Sequence, residues 1–272
     1  MEGTALIDEV GEFEVASGAT IHYRSVGPPN GVALMLGLPL MASHTRIFGP
    51  DSGATLNGYL DRLTDVYRVL LVDYPNIGKS TSPPPAEMTA ERVCSDLLAT
   101  ADAAGFGKFV YWAYSWGGAA ALQLASRSDR LSALVVGGWP PLGGQYADIL
   151  RAARRQLDDP PPSARVVLRE PAQYAQWVTF YESVLDWPEQ QAIGEIDCPR
   201  MVFFGGRGDV DPGGEDIHIA GTIRKRRGEL RRLGWSVHEI ADRDHSVCLD
   251  ASAVVPPVRA FLDEALSGTV TR

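Results

Sequence analysis

The chain has 272 residues, of which 45% are hydrophobic and 22% are charged, and its formal net charge is −9. This composition is typical of a globular protein with a large core, and the acidic charge argues against binding to nucleic acid, whose phosphates attract basic surfaces. Three cysteines without metal-like spacing are expected to be reduced thiols. The acidic N-terminal segment lacks the apolar stretch of a signal peptide, and no apolar run reaches membrane-spanning length, so we expect a cytoplasmic location and no membrane partner.

The predicted elements alternate between strands and helices along the chain. A β-hairpin comes first, with strands at Phe13–Val15 and Thr20–Arg24. Short apolar runs typical of buried strands follow at Val32–Leu36, Tyr67–Val72, Phe109–Ala113, Leu134–Val136 and Met201–Phe204. An alternating run at Trp235–Ile240 predicts an outer strand. Helical patterns separate them at Leu56–Thr64, Ala90–Ala104, Ala119–Ser126 and Gly214–Leu233. This alternation predicts an α/β fold with a mostly parallel, doubly wound sheet of about eight strands.

Residues 139–196 interrupt this alternation. Prolines cluster at both ends and in the middle of the segment, and amphipathic helical patterns lie at Tyr146–Leu157 and Pro171–Asp186. We therefore expect a helical cap subdomain of residues 139–196 that roofs a pocket, inserted into a core domain of residues 1–138 and 197–272. The alternative interpretation is a pair of ordinary packing helices.

Ser115 lies where an apolar strand turns sharply into an Ala-rich helix, in the run Val-Tyr-Trp-Ala-Tyr-Ser-Trp-Gly-Gly. Such a turn projects the hydroxyl above the sheet, and the N-terminal end of the helix favours negative charge beside it. The small residues Ala113, Gly117 and Gly118 allow the strand and the helix to approach each other closely. These features predict a nucleophilic serine.

Two loops at the carboxyl edge of the predicted sheet supply residues that could activate this serine. Asp209 follows a buried strand and His245 follows the outer strand, so the chain order is Ser, Asp, His. Asp211 is an alternative acid, and His44 is the competing histidine, since it follows another strand and could line the pocket. We predict a triad in which His245 is the general base and Asp209 orients it.

Two motifs resemble those of the α/β-hydrolase fold superfamily, in its capped, serine-nucleophile subgroup, and the resemblance extends over nearly the whole chain. The elbow Gly-x-Ser-x-Gly is similar to residues 113–117, with alanine in place of the first glycine. The segment Asp-x-Pro-Gly-x-Gly-x-Ser is similar to residues 73–80, with Asn76 in place of a glycine. Asparagine tolerates left-handed backbone angles, so we expect the turn to be preserved.

The oxyanion segment departs further from the family pattern. The family has His-Gly followed by an aromatic residue and proline, whereas this chain has Leu36-Gly37-Leu38-Pro39. The resemblance implies that the backbone N–H groups of Leu38 and Trp116 form the oxyanion hole. Backbone donors are preserved when side chains change, so this role does not require the histidine.

The resemblance implies a serine hydrolase that acts through an acyl-enzyme with no metal and no organic cofactor. The expected partner is a small-molecule substrate. A small or medium hydrophobic carboxylic ester is the first candidate, and lactones and thioesters are further ones. A homodimer is also compatible with the sequence. Carbon–carbon bond hydrolysis, perhydrolysis and lyase or synthase chemistry are alternatives on the same scaffold, and a non-catalytic ligand-binding role is a further one. The predicted pocket residues are Leu40, Met41, His44, Trp139, Tyr174, Trp177 and Tyr181.

Overall fold

The computed structural model of the chain describes residues 6–81, 83–168 and 171–267. The first part of the acidic N-terminal segment, on which the signal-peptide expectation rests, lies outside the described residues. None of the described helices is both long and apolar enough to cross a membrane.

Within the described residues, eight strands form one sheet in the order β1-β2-β4-β3-β5-β6-β7-β8. The strands are β1 (Ile7–Glu14), β2 (Thr20–Gly27), β3 (Val32–Leu36), β4 (Tyr67–Val72), β5 (Phe109–Tyr114), β6 (Leu131–Gly137), β7 (Arg200–Arg207) and β8 (Trp235–Asp244). The β1–β2 and β2–β4 pairs are antiparallel and the others are parallel. The predicted mostly parallel sheet is therefore confirmed.

Helices cover both faces of this sheet, as the predicted double winding requires. They are α1 (His44–Phe48), α2 (Gly53–Leu63), α3 (Ala90–Ala103), α4 (Trp116–Ala125), α5 (Tyr146–Arg155), α6 (Pro162–Val167), α7 (Ala175–Glu182), α8 (Glu189–Gly194), α9 (Ile219–Arg232) and α10 (Ala251–Ser267). One hydrophobic cluster joins the sheet to α3, α4 and α9, and a second joins its opposite face to α2 and α10. The segment between β6 and β7 contains α5 to α8.

Strand β5 is buried on both faces, and this explains its continuous apolar sequence. Residues 109, 111 and 113 pack in the cluster with α3, α4 and α9, while residues 110, 112 and 114 pack in the cluster with α2 and α10. Side chains alternate between the two faces of a strand, so both sets must be apolar to be buried. The side chain of Tyr114 therefore lies on the α2 and α10 side, immediately before Ser115.

Strand β8 and helix α10 are among the elements that differ from the sequence prediction. Strand β8 continues to Asp244, four residues beyond the predicted end, and pairs with β7 as far as Arg207 after an irregularity in the register. Helix α10 was not predicted, because it contains Pro256 and Pro257, which remove backbone donors from a helix. Burial of its apolar residues against the sheet offsets those missing hydrogen bonds.

Candidate active site

Ser115 joins β5 to α4 in a strained backbone conformation. Its φ is 54° and its ψ is −126°, a combination that residues other than glycine rarely adopt. A Cβ atom on Gly118 would stand 2.9 Å from Trp139 Cβ, and one on Gly117 would stand 3.3 Å from Ala113 Cβ. Alanine therefore fits at position 113 because Gly117 has no side chain. This close packing holds the turn and projects the Ser115 hydroxyl.

His245 meets this hydroxyl, with its Nε2 atom 2.9 Å from Ser115 Oγ. It directly follows β8 and begins the short 3-10 helix His245–Leu249. Burial lowers the pKa of His245 to about 4, an effect that the carboxylate of Asp244 partly opposes. The imidazole is therefore neutral near pH 7 and can accept a proton from a hydroxyl.

The predicted acid does not reach this histidine. The carboxylate of Asp209 accepts a hydrogen bond from the Gly221 N–H of α9 at 3.1 Å, and its other oxygen lies 3.8 Å from His218 Nδ1. Among the described residues, His245 Nδ1 is buried and has no hydrogen-bond partner. The alternative acid Asp211 is exposed. The assignment of Asp209 as the partner of His245 is therefore corrected, because the chain after β7 turns toward α9.

The two predicted oxyanion residues flank the elbow. Trp116 is the first residue of α4, so its N–H has no acceptor within the helix. The Leu38 N atom lies 3.4 Å from the point at which a Cβ on Gly117 would stand, so the Leu38 loop packs directly on the elbow. The Tyr74 hydroxyl lies 2.6 Å from that of Tyr111 and packs against Gly37, next to Leu38, where a Cβ would stand 2.4 Å from it. Two buried tyrosines thus support this loop from below.

The segment of residues 73–80 supports the same loop from the side. The buried carboxylate of Asp73 accepts hydrogen bonds from the Ser43 N–H at 2.8 Å and the Lys79 N–H at 2.9 Å. Asn76 has a φ of 61°, which confirms the left-handed turn expected for asparagine at this position. A Cβ on Gly78 would stand 2.3 Å from Asp73 Oδ2, so this glycine is required by the close approach. The motif therefore has a structural role.

A cavity of about 470 Å³ opens at Ser115 and His245. Helices α5, α6 and α7 form its far wall, and none of the described residues that line it is an Asp, Glu, Lys or Arg. Of the predicted pocket residues, Tyr174, Trp177 and Tyr181 line this cavity. The sequence prediction missed other lining residues, among them Phe48, Ile149, Ala152, Ala153, Gln156 and Val167.

The other four predicted pocket residues lie behind the cavity wall. Leu40 and Met41 are buried in the two hydrophobic clusters. Trp139 packs behind Tyr181, with 6.3 Å between ring centroids. His44 is buried, with Nδ1 3.1 Å from the Pro39 carbonyl oxygen and its ring 5.0 Å from that of Phe48. The competing histidine therefore contacts Pro39, next to Leu38, rather than Ser115.

A sequence signal for the missed residues exists in α5 and its C-cap. Ile149, Ala152, Ala153 and Gln156 recur at the spacing of one helix face, and all four line the cavity. Arginines of α5 pair instead with carboxylates outside the cavity, for example Arg155 with Glu215. The Tyr174 hydroxyl donates to Gln156 Oε1 at 2.5 Å, so the far wall carries a polar pair within apolar surroundings.

Comparison with known proteins agrees with this architecture. The sequence model of a family described as the alpha/beta hydrolase fold matches residues 52–158. An esterase from Thermogutta terrifontis is 18% identical with a TM-score of 0.67, covering 94% of this chain and 99% of its own. Epoxide hydrolase A from Mycobacterium thermoresistibile is 16% identical with a TM-score of 0.64, covering 96% and 99%. A mutant of the N-acyl homoserine lactonase AidH is 15% identical with a TM-score of 0.66, covering 95% and 98%.

At these identities the solved structures share the fold with this chain, and their activities are their own. The strand order, the helices on both faces and the strained strand-to-helix turn agree with the family match. The chain therefore has the α/β-hydrolase fold.

Proposed function

We propose that the protein is a serine hydrolase that cleaves neutral, hydrophobic carboxylic esters through an acyl-enzyme. The observation that carries this proposal is the 2.9 Å contact between Ser115 Oγ and His245 Nε2 at a strained turn that opens into an uncharged cavity. A nucleophile and a base within hydrogen-bond distance are the minimum machinery for acyl transfer.

In the proposed reaction, Ser115 Oγ attacks the substrate carbonyl while His245 Nε2 takes the hydroxyl proton. Negative charge that develops on the carbonyl oxygen is stabilised by the Trp116 N–H at the start of α4 and by the Leu38 N–H. His245 then gives the proton to the leaving alcohol. In the second half, His245 removes a proton from water, the hydroxide attacks the acyl carbonyl, and Ser115 recovers its proton.

The cavity supports an apolar substrate of moderate size. Its volume of about 470 Å³ is in the range of small-molecule sites, and its lining offers no fixed charge to a charged substrate. We infer that residues 139–196 act as a cap over the bound acyl or alcohol group, since α5, α6 and α7 line the far wall.

The choice of bond is supported by the elbow residue. A serine at this position argues against epoxide and haloalkane opening, for which hydrolases of this fold use an aspartate nucleophile. The esterase and the lactonase among the similar structures make linear esters and lactones the first substrates to test. The epoxide hydrolase is similar in fold alone.

A fluorophosphonate probe tests the proposal, because it phosphonylates only activated serines. We expect labelling of the wild type and complete loss of labelling in Ser115→Ala. Ser163→Ala is the matched control, since Ser163 lines the same cavity away from the elbow, and it should label like the wild type. A folded wild type that is neither labelled nor active on a panel of p-nitrophenyl esters and lactones would favour the non-catalytic ligand-binding role.

A further inference from the structure

His245 must be held in place for the proposed function, and the usual means is absent among the described residues. In a Ser-His-Asp triad the carboxylate binds Nδ1–H, which fixes the imidazole and its tautomer. Here Nδ1 has no partner in the described part of the chain, and the Asp209 carboxylate accepts a hydrogen bond from α9. The neighbouring Asp244 carboxylate binds the N–H and hydroxyl of Ser246, at 2.8 and 2.6 Å. Another group must therefore position this side chain.

Tyr114 makes two contacts with His245. Its hydroxyl donates to the His245 carbonyl oxygen at 2.9 Å, and its ring lies 5.2 Å from the imidazole with an interplanar angle of 49°. The first contact holds the main chain of the histidine and the second limits the rotation of its side chain. Because Tyr114 immediately precedes Ser115, one residue links the position of the nucleophile to that of the base.

Tyr114 is itself rigidly held. Its ring packs against Phe203 at 5.6 Å, and a Cβ on either Gly137 or Gly138 would stand within 2.4 Å of a ring atom. Burial raises its pKa far above the ordinary value, so the hydroxyl remains a donor at all working pH values. A second tyrosine, Tyr59, holds the same turn further on, where its hydroxyl donates to the Cys248 carbonyl oxygen at 2.6 Å.

We propose that Tyr114 is the positioning residue for His245, and that its hydroxyl–carbonyl bond and ring contact serve where a triad uses a carboxylate. This inference rests on the proposed function of Ser115 and His245. Tyr114 touches no reacting atom in this scheme, since it acts through the histidine. It follows that Asp209 is dispensable for acylation, although it occupies the triad acid's place in the chain order.

Three conservative variants separate these roles. Tyr114→Phe removes only the hydroxyl, Tyr59→Phe removes the equivalent bond at Cys248, and Asp209→Asn removes the charge of the expected acid. The readouts are the acylation rate with fluorophosphonate, kcat and KM on a p-nitrophenyl ester, and the pH–rate profile, with a thermal melt for each protein.

We expect Tyr114→Phe to lower kcat about 10- to 100-fold with little change in KM, because a small misplacement of a catalytic group has effects of this size. The decline of its pH–rate profile on the acid side should move from about pH 4 toward 6.5, because a loosened imidazole is more exposed to water. The titratable groups packed on His245 are Asp244, Tyr114 and Cys248, and burial keeps the last two neutral. Tyr59→Phe should have a smaller effect, and Asp209→Asn should change kcat by less than about threefold.

Two results would overturn the inference. One is a loss of about 10⁴-fold in Asp209→Asn, which is the effect of this substitution in a working triad. The other is a folded Tyr114→Phe with the rate and profile of the wild type. If Tyr114→Phe does not fold, the imidazole NMR spectrum of the wild type decides, because a carboxylate partner gives a strongly downfield Nδ1–H signal and its presence would refute the inference. Failure of the proposed function is distinct, since the wild type would then not be labelled at all.

Discussion

Asp96 carries a buried carboxyl group that the chemistry does not use, and its replacement by asparagine should stabilise the protein at neutral pH. The residue lies in α3 and is 3% exposed, and its Oδ2 atom has no hydrogen-bond partner among the described residues. Burial raises the pKa of Asp96 from 3.8 to about 6, while the nearby Arg92 opposes this shift. The carboxyl group therefore loses more by ionising in the folded state than in the unfolded state.

The size of the effect follows from the two pKa values. A folded pKa of about 6 against an unfolded value of 3.8 corresponds to about 3 kcal/mol of unfolding free energy. Because the pKa of Asp96 is higher in the folded state, the stability contributed by its protonated carboxyl group is fully present below about pH 4 and is lost as the pH rises through 6. Asparagine cannot ionise and has nearly the same volume. We therefore expect Asp96→Asn to gain up to about 3 kcal/mol above pH 6, or about 5 °C in Tm for a chain of this size.

Urea unfolding of the wild type and Asp96→Asn from pH 4 to pH 8 measures this difference. The wild-type curve alone is ambiguous, because the lowered pKa values of His44, His238 and His245 make it lose stability as the pH falls. The difference between the two proteins isolates Asp96. Asp61→Asn, at an exposed position of α2, is the matched control and should give a difference near zero. A difference for Asp96→Asn that does not grow between pH 4 and pH 6 would refute the reasoning.

Two further predictions concern activity. Because burial lowers the pKa of His245 to about 4, kcat/KM should be level from about pH 5 to pH 8 and decline only near pH 4. The measurement uses samples that circular dichroism shows to be folded. A decline of kcat/KM already at pH 6 to 7 would contradict a buried base. In Gly37→Ala, the new Cβ would stand 2.4 Å from the Tyr74 hydroxyl oxygen, so the Leu38 loop must move and kcat should fall about 100-fold. Gly107→Ala, which has no atom within 4 Å of its Cβ, should keep full activity, and equal rates for both variants would argue against a role for this loop.

The sheet could be predicted because its central strands are buried on both faces. Val32–Leu36 and Tyr67–Val72 were predicted with the bounds that the structure gives to β3 and β4, since a continuous apolar run has few other uses in a short segment. The strand-to-helix turn at Ser115 could be predicted for a similar reason. Small residues on both sides of a serine allow a strand and a helix to approach closely at a sharp turn, and the structure shows that turn.

The pocket was harder to predict because its wall is a property of packing between helices. Aromatic residues of the inserted segment were expected to face the substrate, yet Trp139 packs behind Tyr181 while the small residues Ala152 and Ala153 line the cavity. Small residues on a helix face can mark either close helix contact or free volume. Sequence alone does not distinguish these two cases, since the difference lies in what stands opposite.

The position of His245 depends on where β8 ends. The predicted strand stopped at Ile240, which would leave a loop before His245, but the structure continues the strand to Asp244. Gly205 allows this extension, because a Cβ there would stand 2.3 Å from the Asp244 carbonyl oxygen. The close approach of β8 to β7 carries His245 directly to Ser115, and the chain that follows Arg207 leads Asp209 to α9. The extension of β8 thus accounts for the contact of His245 with Ser115, and the turn after Arg207 accounts for the contact of Asp209 with α9, which leaves Tyr114 as the group that we propose holds the imidazole.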